Sequence, residues 1–265
     1  MERKTRGGCH GPMSHDLTSL LREWPYEPGQ LSVRIIEGED GRSKIQLRLD
    51  LGILQMEVEG RPDGQRPEGF ESLLELYEAH LDEHMGEGGE PDAFALDPEA
   101  CRSIREEAAQ YYHRYVALFI LEDYEGVIRD TSRNLRALDL CAQHGQTEED
   151  RTALEQFRPY ITMMRARALA SQAIKDKEPK AAMLAIDEAL ERIRGHFEEA
   201  GSPDQFDQSA EVQLLQGMRD ALAPKLPVSP RSELRDRLKK ALEQENYELA
   251  SILRDELRMM PDQGV

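Results

Sequence analysis

The sequence predicts an α+β protein that is mainly α: a small antiparallel three-stranded meander with a helix, then a helical-hairpin array, then a short C-terminal helical hairpin. Three observations carry this. Apolar residues alternate with a period of two from Leu31 to Glu59, follow a helical period from Phe70 to Leu222, and resume that period after "APKLPVSP".

The elements follow in order. Residues 1–15, "MERKTRGGCHGPMSH", are basic and Gly-rich without periodicity and read as a disordered tail, with Met13 as an alternative start. Residues 16–85 read as a small α/β domain. Val33 and Ile35 make the first half-buried strand, Ile45, Leu47, Leu49 and Leu51 the second, and Leu54, Met56 and Val58 the third, with turns at "EDG" (Glu39 to Gly41) and near Gly52. The helical stripe of Phe70, Leu73, Leu74, Tyr77 and Leu81 is expected to cover the apolar face of this meander. Between strand and helix, "RPDGQRPEG" has the punctuation of consecutive turns and projects Arg61, Asp63 and Arg66. It reads as a solvated turn or as a ligand loop in which two arginines grip a carboxylate or phosphate.

A linker over residues 86–97 leads to a helical domain, residues 98–223. Asp97 and Pro98 supply a cap and a first-turn proline. The helical period continues through Tyr115, Leu118, Val127, Leu135 and Leu138 until "QHGQ", and Thr147 with Asp150 forms a capping box for the next helix. Pro159 should kink or split that helix. Two more helices are expected at Pro179 to Glu199 and Ala210 to Leu222. "LEDYEGVIRDTSRNLRALDL" resembles a tetratricopeptide hairpin, although the Trp-Leu-Gly signature is missing and the second candidate copy lies roughly fifty residues on rather than ~34. An irregular hairpin array and a plain helical bundle both satisfy the pattern, and in either the stripe of Tyr111, Tyr112 and Tyr115 reads as core.

Residues 224–231 hold three prolines and form a linker that no helix can cross. Ser232 then caps a helix with Leu234, Leu238, Ala241 and Leu242 along one narrow stripe. Asn246 opens a second helix whose Tyr247, Leu249, Ala250, Ile252, Leu253, Leu257 and Met260 form a wider band than the first helix covers. A hairpin over residues 232–260 is below the ~40 residues at which isolated domains need a metal, a disulfide or association, and its sequence offers neither of the first two. It therefore calls for a partner surface, which is the chain's own helical domain, a second copy or a different protein.

Here a resemblance is specific. "LRDRLKKALEQENYELASILRDEL" is similar to the UVR motif shared by the bacterial excision-repair proteins UvrB and UvrC, with Leu234, Leu238, Ala241, Glu245, Tyr247, Glu248, Ala250, Leu253, Arg254 and Asp255 at the motif's positions and Ser251 in place of its second Ala. The resemblance implies a hairpin that pairs with another such hairpin, as UvrB does with UvrC. A similar motif occurs in Clp-type chaperones and their adaptor. The chain carries no helicase P-loop, GIY-YIG nuclease signature or Cys-rich fingers; its "WPYEPGQ" to "EVEGRPDG" region and the UVR ending together resemble the short UvrB/UvrC motif-containing proteins of bacteria. Tyr247, Ala250, Leu253 and Leu257 are the expected packing residues, and Arg254 with Asp255 the pair that fixes a partner's register.

Charge and composition narrow the function classes. With 34 basic and 52 acidic residues the formal charge is -18, which opposes general attraction to nucleic-acid backbones or anionic membranes. Cys9, Cys101 and Cys141 are widely spaced, which fits a reducing cytoplasm rather than a disulfide framework. His113, His144 and His196 stand on separate segments, and the many carboxylates read as surface solvation. No catalytic residue, metal or cofactor is assigned. The expected function is a non-enzymatic adaptor that binds a protein partner or a second copy through its hairpin. The alternatives are an accessory of nucleotide excision repair docking on UvrB or UvrC, and a regulator working with a Clp-type chaperone-protease.

Overall fold

The computed structural model describes residues 16–222, 238–240 and 254, and these are mainly helical with one small antiparallel sheet. A short helix, α1 (Thr18–Glu23), precedes strands β1 (Ser32–Glu37), β2 (Ser43–Arg48) and β3 (Ile53–Glu57), which pair in the order β1-β2-β3. The register sets Ile35 opposite Ile45 and Ile45 opposite Met56, and sets Val33 beside Leu47 and Leu47 beside Leu54, so the alternation read from the sequence makes one continuous apolar face. Ile45, Leu47 and Met56 are buried, while Ile35 at the sheet edge is 57% exposed and Leu51, at the turn, is exposed.

The opposite face of the sheet is covered too, which alternation alone did not predict. Lys44, Gln46 and Arg48 on the central strand are buried. Arg34 donates to Gln46 Oε1 at 2.8 Å and Gln46 donates to Gln55 Oε1 at 2.9 Å, a polar ladder across all three strands. Trp24 closes over it, with the Arg34 guanidinium 4.1 Å from the ring centroid, its indole N–H on Ser32 Oγ at 2.7 Å and its carbonyl accepting from Arg48 Nε at 2.7 Å. The segment before β1 is thus the lid of the polar face.

The helices follow as α2 (Leu73–Gly86), α3 (Pro98–Ile120), α4 (Tyr124–His144), α5 (Glu148–Thr152), α6 (Arg158–Lys175), α7 (Pro179–Glu199) and α8 (Ala210–Leu222). Capping chemistry sets several of the starts. Asp97 accepts from Ala100 N–H, Ser72 from Glu75 N–H, and Thr147 from Asp150 N–H. Pro159 splits rather than kinks its segment: α5 lasts five residues, a 3-10 turn follows at Glu155–Phe157, and Pro159 sits in the first turn of α6. Successive helices pack in chain order, α3 on α4, α4 on α6, α6 on α7 and α7 on α8. This is a layered array of antiparallel hairpins.

The sheet is covered by α3, not by α2. Its apolar face joins a cluster with Tyr115, Leu118 and Val127, whereas Leu74 of α2 is fully buried in a second cluster with Leu96, Cys101, Ile104 and Leu138. Phe70, expected on the covering stripe, is 36% exposed. The reason is the length of α3. Its 23 residues span about 34 Å, so its first half receives α2 and its second half receives the sheet, both against α4 behind. The segment 86–97 is drawn into the same packing: Leu96 is buried and exchanges hydrogen bonds with the end of α4, donating to His144 O and accepting from Gln146 N–H.

Three helix ends in the array close alike. Asp123 N–H reaches back to Leu118 O at 3.0 Å, Glu178 N–H to Ala173 O at 2.7 Å and Ser202 N–H to Phe197 O at 2.8 Å, each spanning a residue with left-handed backbone: Glu122 at φ 57, Lys177 at φ 64 and Gly201 at φ 68. Only the third of these is glycine. A side chain in that region costs roughly 1–2 kcal/mol, partly offset by the greater freedom glycine has in the unfolded chain. Glu122→Gly and Lys177→Gly should therefore each raise stability by about 0.5–1 kcal/mol in urea unfolding, with Glu122→Ala near neutral; a loss on introducing glycine would refute this account of the turns.

Candidate functional site

The two candidate regions read from the sequence fare differently. The ligand loop lies wholly within the described residues, and its two arginines line one small cavity from different settings. Arg61 is largely buried, with Nε 3.1 Å from Asp63 Oδ1 and 3.6 Å from Glu107 Oε1 on α3. Asp63 also accepts from Gln110 Nε2 at 3.1 Å and from Gln65 N–H at 3.0 Å. Arg66 stands in solvent, 3.7 Å from Glu71. A cavity of about 170 Å³ beside the loop is lined by Arg42, Arg61 and Arg66 and equally by Glu57, Glu59 and Glu71, so the three cations there face as many carboxylates.

What Arg61 joins is a network of buried charge between α3, α4 and the end of β3. Glu107 is fully buried, accepts from Leu73 N–H at the start of α2 at 2.8 Å, and contacts Arg133 of α4. Arg114 and Asp130 form a bidentate pair at 2.7 and 2.8 Å with both side chains buried, and the remaining Arg114 nitrogen donates to Glu57 O at 3.1 Å and Gly60 O at 2.7 Å. Arg129 adds Val58 O and Glu59 to the same strand end. Tyr111 lies between the cations, 4.8 Å from Arg114 and 4.2 Å from Arg133. The sequence reading set these carboxylates among the solvated ones. Their signal was position: Glu107 and Asp130 fall inside the apolar stripes of Ile104–Tyr111 and Val127–Asn134.

The hairpin residues Leu234, Ala241, Leu242, Tyr247, Ala250, Leu253, Asp255 and Leu257 lie outside the described residues. Leu238 and Arg254 are described: both are helical, Leu238 half-buried and Arg254 exposed, and Lys239 and Lys240 beside Leu238 are exposed.

A third region was missed. Between α3, α4 and α6 lies a largely apolar cavity of about 450 Å³, walled by Tyr112, Tyr115, Leu138, Leu154, Phe157 and Tyr160. Tyr112, read from the sequence as core with Tyr111 and Tyr115, is instead 41% exposed at its mouth, and Phe157 opposite is 50% exposed. Arg105, held by Asp150 at 3.1 Å, and Glu211 from the start of α8 are the charged residues of its lining. The rings are set edge to face, Tyr112 and Tyr115 at 5.6 Å, and burial together with its tyrosine neighbours holds the Tyr115 phenol far above its ordinary range. Such a surface suits apolar groups. The signal for it was the aromatic Phe157 in the broken stretch between α5 and α6, where a continuous helix would have buried it.

His144 is buried against Phe94, and His196 lies 3.7 Å from Glu155 with burial lowering its affinity for a proton. Cys101 and Cys141, distant in sequence, are both fully buried and meet as free thiols across α3 and α4. No described helix is long and apolar enough to cross a membrane. Set against models of protein families, curated proteins and solved structures, the chain finds no match.

Two outcomes follow from the buried groups. Asp130→Ala leaves the Arg114 guanidinium buried without its counter-charge and should cost about 3–5 kcal/mol in urea unfolding, whereas the paired replacement Arg114→Met with Asp130→Leu should cost far less than the sum of the single changes. On the alkaline side, burial pushes the Cys141 thiol from 9.0 up to about 12 and the Tyr111 phenol from 10.0 up to about 12. The unfolded chain ionises first, so stability is intact below about pH 9 and falls as pH climbs toward 12. Cys141→Ala should make that decline shallower in urea midpoints measured across the range; an unchanged slope would show that this thiol does not carry it.

Proposed function

We propose that this chain is a non-enzymatic adaptor whose C-terminal residues 232–260 act as a UVR-like helical hairpin and pair with a partner protein or a second copy. The single observation that carries the reading is the apolar band of Tyr247, Leu249, Ala250, Ile252, Leu253, Leu257 and Met260, wider than the four-residue stripe of the helix before it. Burying a large aliphatic side chain is worth about 1.5–3 kcal/mol, so an uncovered band of this size favours association. Leu238, half-buried beside the exposed Lys239 and Lys240, is compatible with the phase expected of the first helix. Arg254 and Asp255 then set which partner fits, because charge complementarity discriminates among partners more than it adds affinity.

The body of the protein is a scaffold in this reading. Its charged side chains near the loop are tied into the Arg61, Glu107 and Arg133 network, and its large cavity is apolar. We place its work in the cytoplasm, on the pattern of three widely spaced cysteines. The partner class that the motif favours is a protein with a hairpin of the same kind, which includes UvrB and UvrC; a role beside a Clp-type chaperone-protease rests on the same resemblance.

Deletion of residues 232–260 from the full chain should abolish capture of the partner in pull-downs and remove any self-association seen by size exclusion with light scattering, while helical content of the remainder stays in place. Association that survives the deletion would defeat the adaptor reading. If the partner belongs to excision repair, cells lacking the protein should be hypersensitive to ultraviolet light; normal survival removes that version and leaves the adaptor.

A further inference from the structure

Resting on the adaptor reading, we propose that in the absence of a partner residues 232–260 dock in cis on the apolar cavity between α3, α4 and α6. The cavity needs an occupant and the chain carries one. Tyr112 and Phe157 present exposed aromatic surface around a largely apolar concavity of about 450 Å³, and the hairpin sequence carries a band of apolar side chains that its own first helix leaves uncovered.

Reach supports the assignment. Helix α8 starts at the cavity, where Glu211 forms part of the wall, and ends at Leu222, eleven residues or about 17 Å away. Residues 223–231 then provide nine residues with three prolines, which in extended form span about 28 Å. The tether is longer than the distance to be covered. A tether of this length raises the local concentration of the hairpin to about the millimolar range, so a weak apolar contact suffices to hold it.

Charge points the same way. Residues 231–240 carry five basic and two acidic side chains, in a chain whose formal charge is -18. Arg105 is shared between the apolar cavity and an adjoining polar groove lined by Arg102, Glu99, Glu149 and Asp150, and Glu211 lines the cavity itself, so four carboxylates stand there against two arginines. The basic first helix therefore meets an excess of carboxylates while the apolar second helix meets the aromatic wall. A partner hairpin would compete for that same apolar band, so docking and partner binding are mutually exclusive.

The test uses the full chain with p-benzoylphenylalanine in place of Phe157. Irradiation should cross-link position 157 to residues 232–260 of the same molecule, located by mass spectrometry, with a yield that does not change on about hundredfold dilution, as an intramolecular contact requires. Tyr112→Arg should raise amide exchange in residues 247–257 about tenfold and leave α3 and α4 unchanged. No cross-link to 232–260, or unchanged exchange in Tyr112→Arg, overturns the proposal. A yield that falls with dilution overturns it in favour of a second copy. Partner capture that depends on 232–260 without any cross-link would sink the docking and leave the adaptor reading standing.

Discussion

The placement of the sheet depends on one buried ion pair, Arg114 with Asp130. Taking two charges out of water costs several kcal/mol each, and their attraction offsets that only when every remaining donor is satisfied. Here each of the three guanidinium nitrogens has a partner: two meet the carboxylate and the third meets the carbonyls of Glu57 and Gly60. A leucine or methionine pair of the same bulk would fill the space equally well without reading those carbonyls. The ionic pair thus fixes where the last strand ends against α3 and α4, a directional constraint that apolar packing alone does not supply.

A second consequence of the same chemistry is that α3 serves as a common wall. Glu107 lies two turns before Arg114, and it receives the start of α2 through Leu73 N–H, the loop through Arg61, and α4 through Arg133. Sheet, loop and α2 are therefore registered along one face of one helix, each through a buried polar contact, and the apolar clusters fill in around them. The loop that looks from the sequence like a pair of arginines reaching outward is, at Arg61, a structural tie. Arg66 keeps its solvent exposure because no α3 carboxylate lies within its contacts.

Much of this fold was legible in the sequence because local chemistry decided it. The strands follow from strict alternation, the start of α3 from Asp97 and Pro98, the break before α6 from Pro159, and α7 and α8 from their apolar stripes. What was not legible depends on contacts between distant residues. That α3 rather than α2 covers the sheet follows from relative helix lengths and from partners more than fifty residues apart, as in the bond from Arg114 to Glu57 O. Burial of Glu107 and Asp130 needed knowledge of which cation faces each, and a carboxylate within an apolar stripe was the only local hint. Tyr112 illustrates the reverse error. Its stripe says core, but the split at Pro159 withdraws the helix that would have covered it, and so opens the cavity.

The cavity and the C-terminal segment are best understood together. A helical array grows by covering each apolar face with the next helix, and here that series runs through α3, α4, α6, α7 and α8 without covering the mouth between Tyr112 and Phe157. Toward the C-terminus the sequence of residues 232–260 carries the apolar band on which the proposed hairpin rests. If the two meet as proposed, they form a competitive system in which a partner must supply a better surface than the chain's own. In such a system the apparent affinity for the partner is reduced by the fraction of molecules in which the hairpin is docked. On that proposal selectivity would follow from the threshold as well as from Arg254 and Asp255, because a partner with a merely greasy face would gain no more than the cavity already gives.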